Sequence, residues 1–239
     1  MLEQQLNYSK AFFEYRQNRQ EIIELLRVVP SIQEQLHSRK SSQLANALYR
    51  GSVVLMSSHL ERYVEALVVE AIDAINLNKP NVNTIPPSLR MAQIRQPLRH
   101  AHEIEDIVAK TNMLRSLVTD YAWFWDSSHP CDKLRGDDLI NEFDNPLPKR
   151  IRLLFAPFGN SDVVGPAISL DKSDARPLIE IKVRELVEKR NAIAHTGMTA
   201  DLTREDVITY LSCSRRLVRG IDRIFGKQIQ AIIGNWPWK

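Results

Sequence analysis

LANALYRGSVVLMSSHLERYVEALVVEAIDAINL, residues 44–77, contains no proline and a single glycine, Gly51. Its apolar residues include Leu48, Val53, Val54, Leu55, Met56, Leu60, Val64, Leu67, Val68, Ile72 and Ile75. On a 3.6-residue helix these positions fall on almost every side, and a helix that is apolar nearly all round is buried. The segment is therefore expected to be the axis of an all-α helical bundle. Composition agrees. There are 8 glycines among 239 residues, and long stretches lack proline, which disfavours a turn-rich β fold.

Upstream, Phe12, Tyr15, Ile22, Leu25 and Leu26 recur among charged residues between Tyr8 and Val29. That pattern predicts an amphipathic helix stopped before Pro30, followed by a polar stretch from Gln33 to Ser42. Downstream, Pro80, Pro86 and Pro87 mark a loop over Asn78–Ser88. Leu89 to Trp125 reads as helix, kinked or split near Pro97. Asp126–Gly136 reads as a loop, Asp137–Phe143 and Pro148–Phe155 as short helices, and Gly159–Leu170 as an irregular connection. A helix capped by Ser173 is expected to reach Ala194, with Gly197 just past its end. Thr203 and Asp206 predict a capping box opening a last helix to about Ile233. The expected organisation is one domain over 1–239, with an N-terminal helical extension (1–40) and a helical insertion with loops (78–170).

The net charge of +3 permits an anionic partner without requiring one. Cys131 and Cys213 are too few for a disulfide framework and too isolated for a zinc site. No charged-then-apolar leader opens the chain, and no apolar run spans a bilayer. A cytoplasmic protein without membrane contact is expected.

Function concentrates in Glu188-Lys189-Arg190-Asn191-Ala192-Ile193-Ala194-His195-Thr196-Gly197. Ile179, Val183, Leu186, Val187, Ile193 and Ala194 follow the rhythm of one buried helix face, and Arg190 lies within it. A guanidinium keeps its charge, so this position needs an acidic partner or opens into a cleft that uses fixed positive charge. Glu61 shares a line of the central helix with Val54, Val68 and Ile72 and is the natural candidate for a two-pronged bond to it. Equally, Arg190 can snorkel to solvent, and Glu61 can pair along its own helix.

His195 follows five residues later. In an unbroken helix the two side chains diverge by about 140°. Either the helix breaks at Ala194 and His195 turns back, or a second chain completes the site. A histidine beside an arginine suits metal-free phosphodiester cleavage by a ribose 2′-hydroxyl. Asn191 would hold the histidine or the substrate. A structural histidine bonding the last carbonyls, and a solvated Asn191, are the plain alternatives.

Arg190-Asn191-Ala192-Ile193-Ala194-His195 resembles the Arg-x4–6-His signature of the HEPN superfamily, in its Arg-Asn-x-x-x-His form. Arg50–Val64, with Leu60-Glu61-Arg62-Tyr63, resembles the long helix of its RiboL-PSP-type branch, where Leu-Glu-x-Tyr recurs. The resemblance covers roughly Leu44 to Phe225. It implies a helical bundle that forms a homodimer, so that two motifs face one cleft. It also implies a metal-independent endoribonuclease with no cofactor, belonging to a toxin–antitoxin, phage-defence or RNA-processing system, in some cases with an antitoxin partner. Other members are non-catalytic modules that bind protein or nucleotide. Arg190 and His195 match the catalytic positions. Thr196 stands where a glycine often follows the histidine.

Arg215, Arg219 and Arg223 recur at i, i+4, i+8 of the last helix, beside Arg216 and Lys227. The stripe reads either as a solvated face or as a track for the RNA backbone. Tyr121, Trp123, Phe124 and Trp125 read as core or interface in preference to base-stacking. Trp236 and Trp238 must dock on the domain or on another chain. His100 and His102 are two apart and cannot share a metal from one helix face.

Overall fold

A computed structural model describes residues 7–126, 129–196 and 202–238. The elements are helices, with no β-strand among the described residues. The axis is α3 (Arg39–Asn78), against which α1 (Lys10–Arg27), α9 (Ile179–Thr196) and α10 (Arg204–Ile233) pack. Along α3 the side chains of Ala45, Val53, Met56, Leu60, Val64, Leu67, Val68 and Ile75 are buried. Its upper half packs with Ile22 and Leu26 of α1, Leu186 of α9 and Tyr210 of α10. Its lower half packs with Phe155, Phe158, Phe225 and Trp238. The axis predicted from residues 44–77 is thus longer by five residues at its start. Ser38 caps it by accepting the Ser41 amide.

The polar stretch before it is not a coil. Ser31 and Glu34 form a capping box that opens α2 (Ile32–His37), a helix with no buried residue. Local capping there wins over the lack of an apolar face.

The helix expected to kink or split near Pro97 divides elsewhere. Pro97 lies inside α4 (Pro87–Glu103), and the break falls at Ile104–Asp106. There Asp106 accepts the Ala109 amide and starts α5 (Ile107–Tyr121). The turn before Pro97 is pinned from outside: Gln93 accepts the Arg135 amide (2.6 Å) and donates to the Arg135 carbonyl (3.0 Å).

Beyond α6 (Asp137–Ile140) and α7 (Pro148–Phe155) comes α8 (Val164–Ser169). It arises where an irregular connection was expected, because Asp162 accepts the Val164 and Gly165 amides. Ser173 is not the cap of α9. A 3-10 turn over Arg176–Leu178 intervenes, since Pro177 disfavours helical geometry at Arg176, and α9 begins at Ile179. The capping box of Thr203 and Asp206 opens α10 as predicted. Gly197 lies outside the described residues. Trp238 returns to the core at 1% exposure, and Trp236 donates to the Asn7 carbonyl. Both tryptophans therefore dock on their own chain, over Gly226.

Candidate functional site

The stripe of α9 holds Ile179, Val183, Leu186 and Val187 in the core at 0% exposure. Beyond them Arg190 and Ile193 are partly buried and Ala194 is exposed. Ile193 still packs against the core, so Arg190 is a half-buried cation set within the apolar stripe. Arg190 donates from Nη1 to the side-chain oxygen of Asn191 at 3.0 Å. It makes no ion pair within 4 Å with any described residue.

The two-pronged bond expected from Glu61 is accordingly not formed. Leu60 and Tyr63 of the Leu-Glu-x-Tyr pattern both point into the core, and Tyr63 donates to the Val218 carbonyl at 3.1 Å. That leaves Glu61 partly buried within electrostatic reach of Arg190. Burial, and then the charge of Glu65, push the Glu61 carboxyl up. Arg190 opposes this, and Asp144 adds to it. Glu61 thus lends Arg190 a negative field without occupying its donors.

His195 is exposed, and α9 continues through it to Thr196. The break at Ala194 does not occur. On this unbroken helix Arg190 and His195 lie about 140° apart around the axis. One chain places them on different faces of α9.

The stripe on α10 has a different setting. Arg215 and Arg219 are exposed and Arg223 is partly buried. They line a groove of about 540 Å³ together with Arg19, Lys172 and Arg216. Its described walls come from α1, α8, α10 and residues 170–173, and none from α9. The structure groups the stripe with Arg19 and Lys172, and not with Arg190 and His195. Arg19 was missed by the sequence reading, although its signal resembles that of Arg190. It falls on the line Tyr15, Arg19, Ile22, Leu26, whose other members are core residues.

Phe124 is buried, whereas Trp125 is 66% exposed with Arg90 over its ring at 5.6 Å. His100 and His102 are exposed, and no metal-binding group of His, Cys, Asp and Glu occurs among the described residues. No described helix is long and apolar enough to cross a membrane.

Comparison with known families gives a match to the RiboL-PSP-HEPN family model over residues 14–227. No curated protein and no solved structure matches the chain significantly.

Proposed function

Since the chain belongs to the RiboL-PSP-HEPN family, we propose that it is a metal-independent endoribonuclease that works as a homodimer. The observation that carries this reading is Arg190. It is a partly buried guanidinium held by the neighbouring Asn191 amide oxygen and unpaired with any described carboxylate. Such a group is oriented yet free to take a phosphate.

In this reading Arg190 grips the non-bridging oxygens of the scissile phosphate. His195, exposed at the end of α9, takes the proton of the 2′-hydroxyl. The 2′-oxygen forms a new bond to phosphorus, and the bond from phosphorus to the 5′-oxygen breaks. A protonated His195 supplies the proton that the 5′-oxygen needs. The products are a 2′,3′-cyclic phosphate and a 5′-hydroxyl. Asn191 positions Arg190, and Glu61 acts on it through its field. Because the two side chains diverge in one chain, two copies of α9 must share a cleft. Arg215, Arg219 and Arg223 hold RNA backbone. The setting is a cytoplasmic toxin–antitoxin or phage-defence system with a neutralising antitoxin protein.

The rival reading is a non-catalytic module that binds protein or nucleotide. It draws on the same divergence, which leaves a single chain without a paired site. RNA incubated in EDTA with the wild type and with His195→Ala separates the two. The proposal expects cleavage by the wild type, ending in cyclic phosphate, and its loss in the variant. Cleavage undiminished in the variant, or absent in both, overturns it.

A further inference from the structure

The groove between α1 and α10 has an unusual balance of charge. Six cationic side chains, Arg19, Lys172, Arg215, Arg216, Arg219 and Arg223, line it. The acidic residue in its described wall is Asp171, and Arg216 already takes both oxygens of that carboxylate, at 2.9 and 3.0 Å. Arg219 donates to the Tyr8 hydroxyl, a neutral partner. Arg19, Lys172, Arg215, Arg219 and Arg223 enter no ion pair with a described residue.

Folding works against this arrangement. Like charges at i, i+4 repel along α10. Arg19 adds to the repulsion from a second helix. Its Nε is buried with no hydrogen-bond partner, and burial followed by the charge of Arg215 pulls its proton affinity down. A solvated stripe would not need an opposing cation planted on the core line of α1. Leu170, Ile208 and Leu211 add apolar surface to the groove, and the described lining residues include no aromatic ring on which a base could stack. The charged groups, and not a stacking platform, therefore define what fits.

We propose that this groove is a phosphate-binding site, separate from Arg190 and His195, that takes the phosphate groups of a nucleotide, whether free or within an RNA chain. Arg215, Arg219 and Arg223 line it from α10, Arg19 from α1, and Lys172 from the segment after α8. Asp171 aims Arg216 and does not touch the ligand. The volume suits one compact phosphorylated group in contact with several guanidinium forks at once. The inference does not rest on cleavage, since it concerns binding by residues outside α9.

The test is equilibrium binding by the full chain carrying His195→Ala, which silences cleavage. The probes are ATP, tripolyphosphate and a short single-stranded RNA, each at two salt concentrations. Arg19→Gln with Arg215→Gln, and separately Arg219→Glu, are compared with Lys40→Gln, an exposed change outside the groove. Thermal melts confirm that each variant folds. Affinity is expected to fall at least tenfold in the groove variants and to stay unchanged in the control, with a shallower salt dependence. Binding of ATP and tripolyphosphate identifies a free nucleotide as the source, and binding of RNA alone identifies the phosphodiester chain. If no probe binds, or if folded groove variants bind as tightly as the control, the inference is wrong.

Discussion

Ser9 and Asp222 join the two ends of the chain through one carboxylate. Asp222 accepts the Ser9 backbone amide at 3.2 Å and the Ser9 hydroxyl, and both residues are at 0% exposure. The same hydroxyl accepts the Phe12 amide, so Asp222 fixes the cap that begins α1. Tyr63 also reaches Asp222, at 3.5 Å. Docking of α1 on α3 and α10 thus passes through a buried acid.

Burial pushes the Asp222 carboxyl up to about 6, and the nearby charge of Glu70 adds to it, against the hydrogen bonds from Ser9 and Tyr63. A carboxyl whose folded pKa is raised binds its proton more tightly in the native state. Its stability contribution is complete below the unfolded value near 4 and is lost as pH rises through about 6. Asp222→Asn removes this titration. The stability of the wild type relative to Asp222→Asn is expected to fall by about 2 kcal/mol between pH 4 and pH 7. Urea melts of both proteins at each pH measure it. A flat difference would show that Asp222 does not titrate in this window.

Gly220 lets α8 lie directly on α10. A Cβ at this position would stand 2.4 Å from the Ala167 carbonyl oxygen and 2.9 Å from its Cα, both backbone atoms that cannot swing aside. Gly220→Ala is expected to destabilise by about 1–3 kcal/mol through this overlap. Chemical denaturation checks the value. Wild-type stability would mean that α8 shifts without loss.

Arg152 holds the start of α9. Its Nε donates to Asp162 at 2.8 Å, and its two terminal nitrogens donate to Glu180 at 2.8 and 2.9 Å. These bonds hold the Glu180 carboxyl below its ordinary range. Arg152→Ala leaves two partly buried carboxylates close together and is expected to cost about 1–3 kcal/mol, read from the denaturation midpoint. The double change Arg152→Ala with Glu180→Ala should recover part of that loss. No recovery would mean that the contact between Arg152 and Glu180 contributes nothing.

At Arg190 the fork matters as much as the charge. Arg190→Lys keeps the charge and loses the two-pronged grip, so the initial rate of RNA cleavage is expected to drop roughly 100-fold with an unchanged thermal melt. A lysine that supports the wild-type rate would show that Arg190 supplies only a diffuse field.

The sequence was most informative where one physical effect acts alone. The apolar girth of α3 required burial, and the Thr203–Asp206 box started α10 where it should. Competing effects were harder to weigh. Pro97 marks the interior of a helix because Arg135, distant in sequence, braces the preceding turn. Ser173 had the chemistry of a cap, but Pro177 moved the helix start beyond it and Arg216 took the hydroxyl. Glu61 and Arg190 were legible as facing charges on two core helices, yet not the gap between them, which depends on how α3 and α9 pack. The groove joins residues far apart in sequence. Arg19 stands on its apolar line as Arg190 does, and only packing brings it near Arg215.

Experimental structure determination of the assembled protein tests the central claim most directly. The account predicts a two-fold dimer in which Arg190 of one protomer and His195 of the partner subunit line one open cleft. A dimer that holds the two α9 ends far apart, or a chain that remains a monomer, would contradict it.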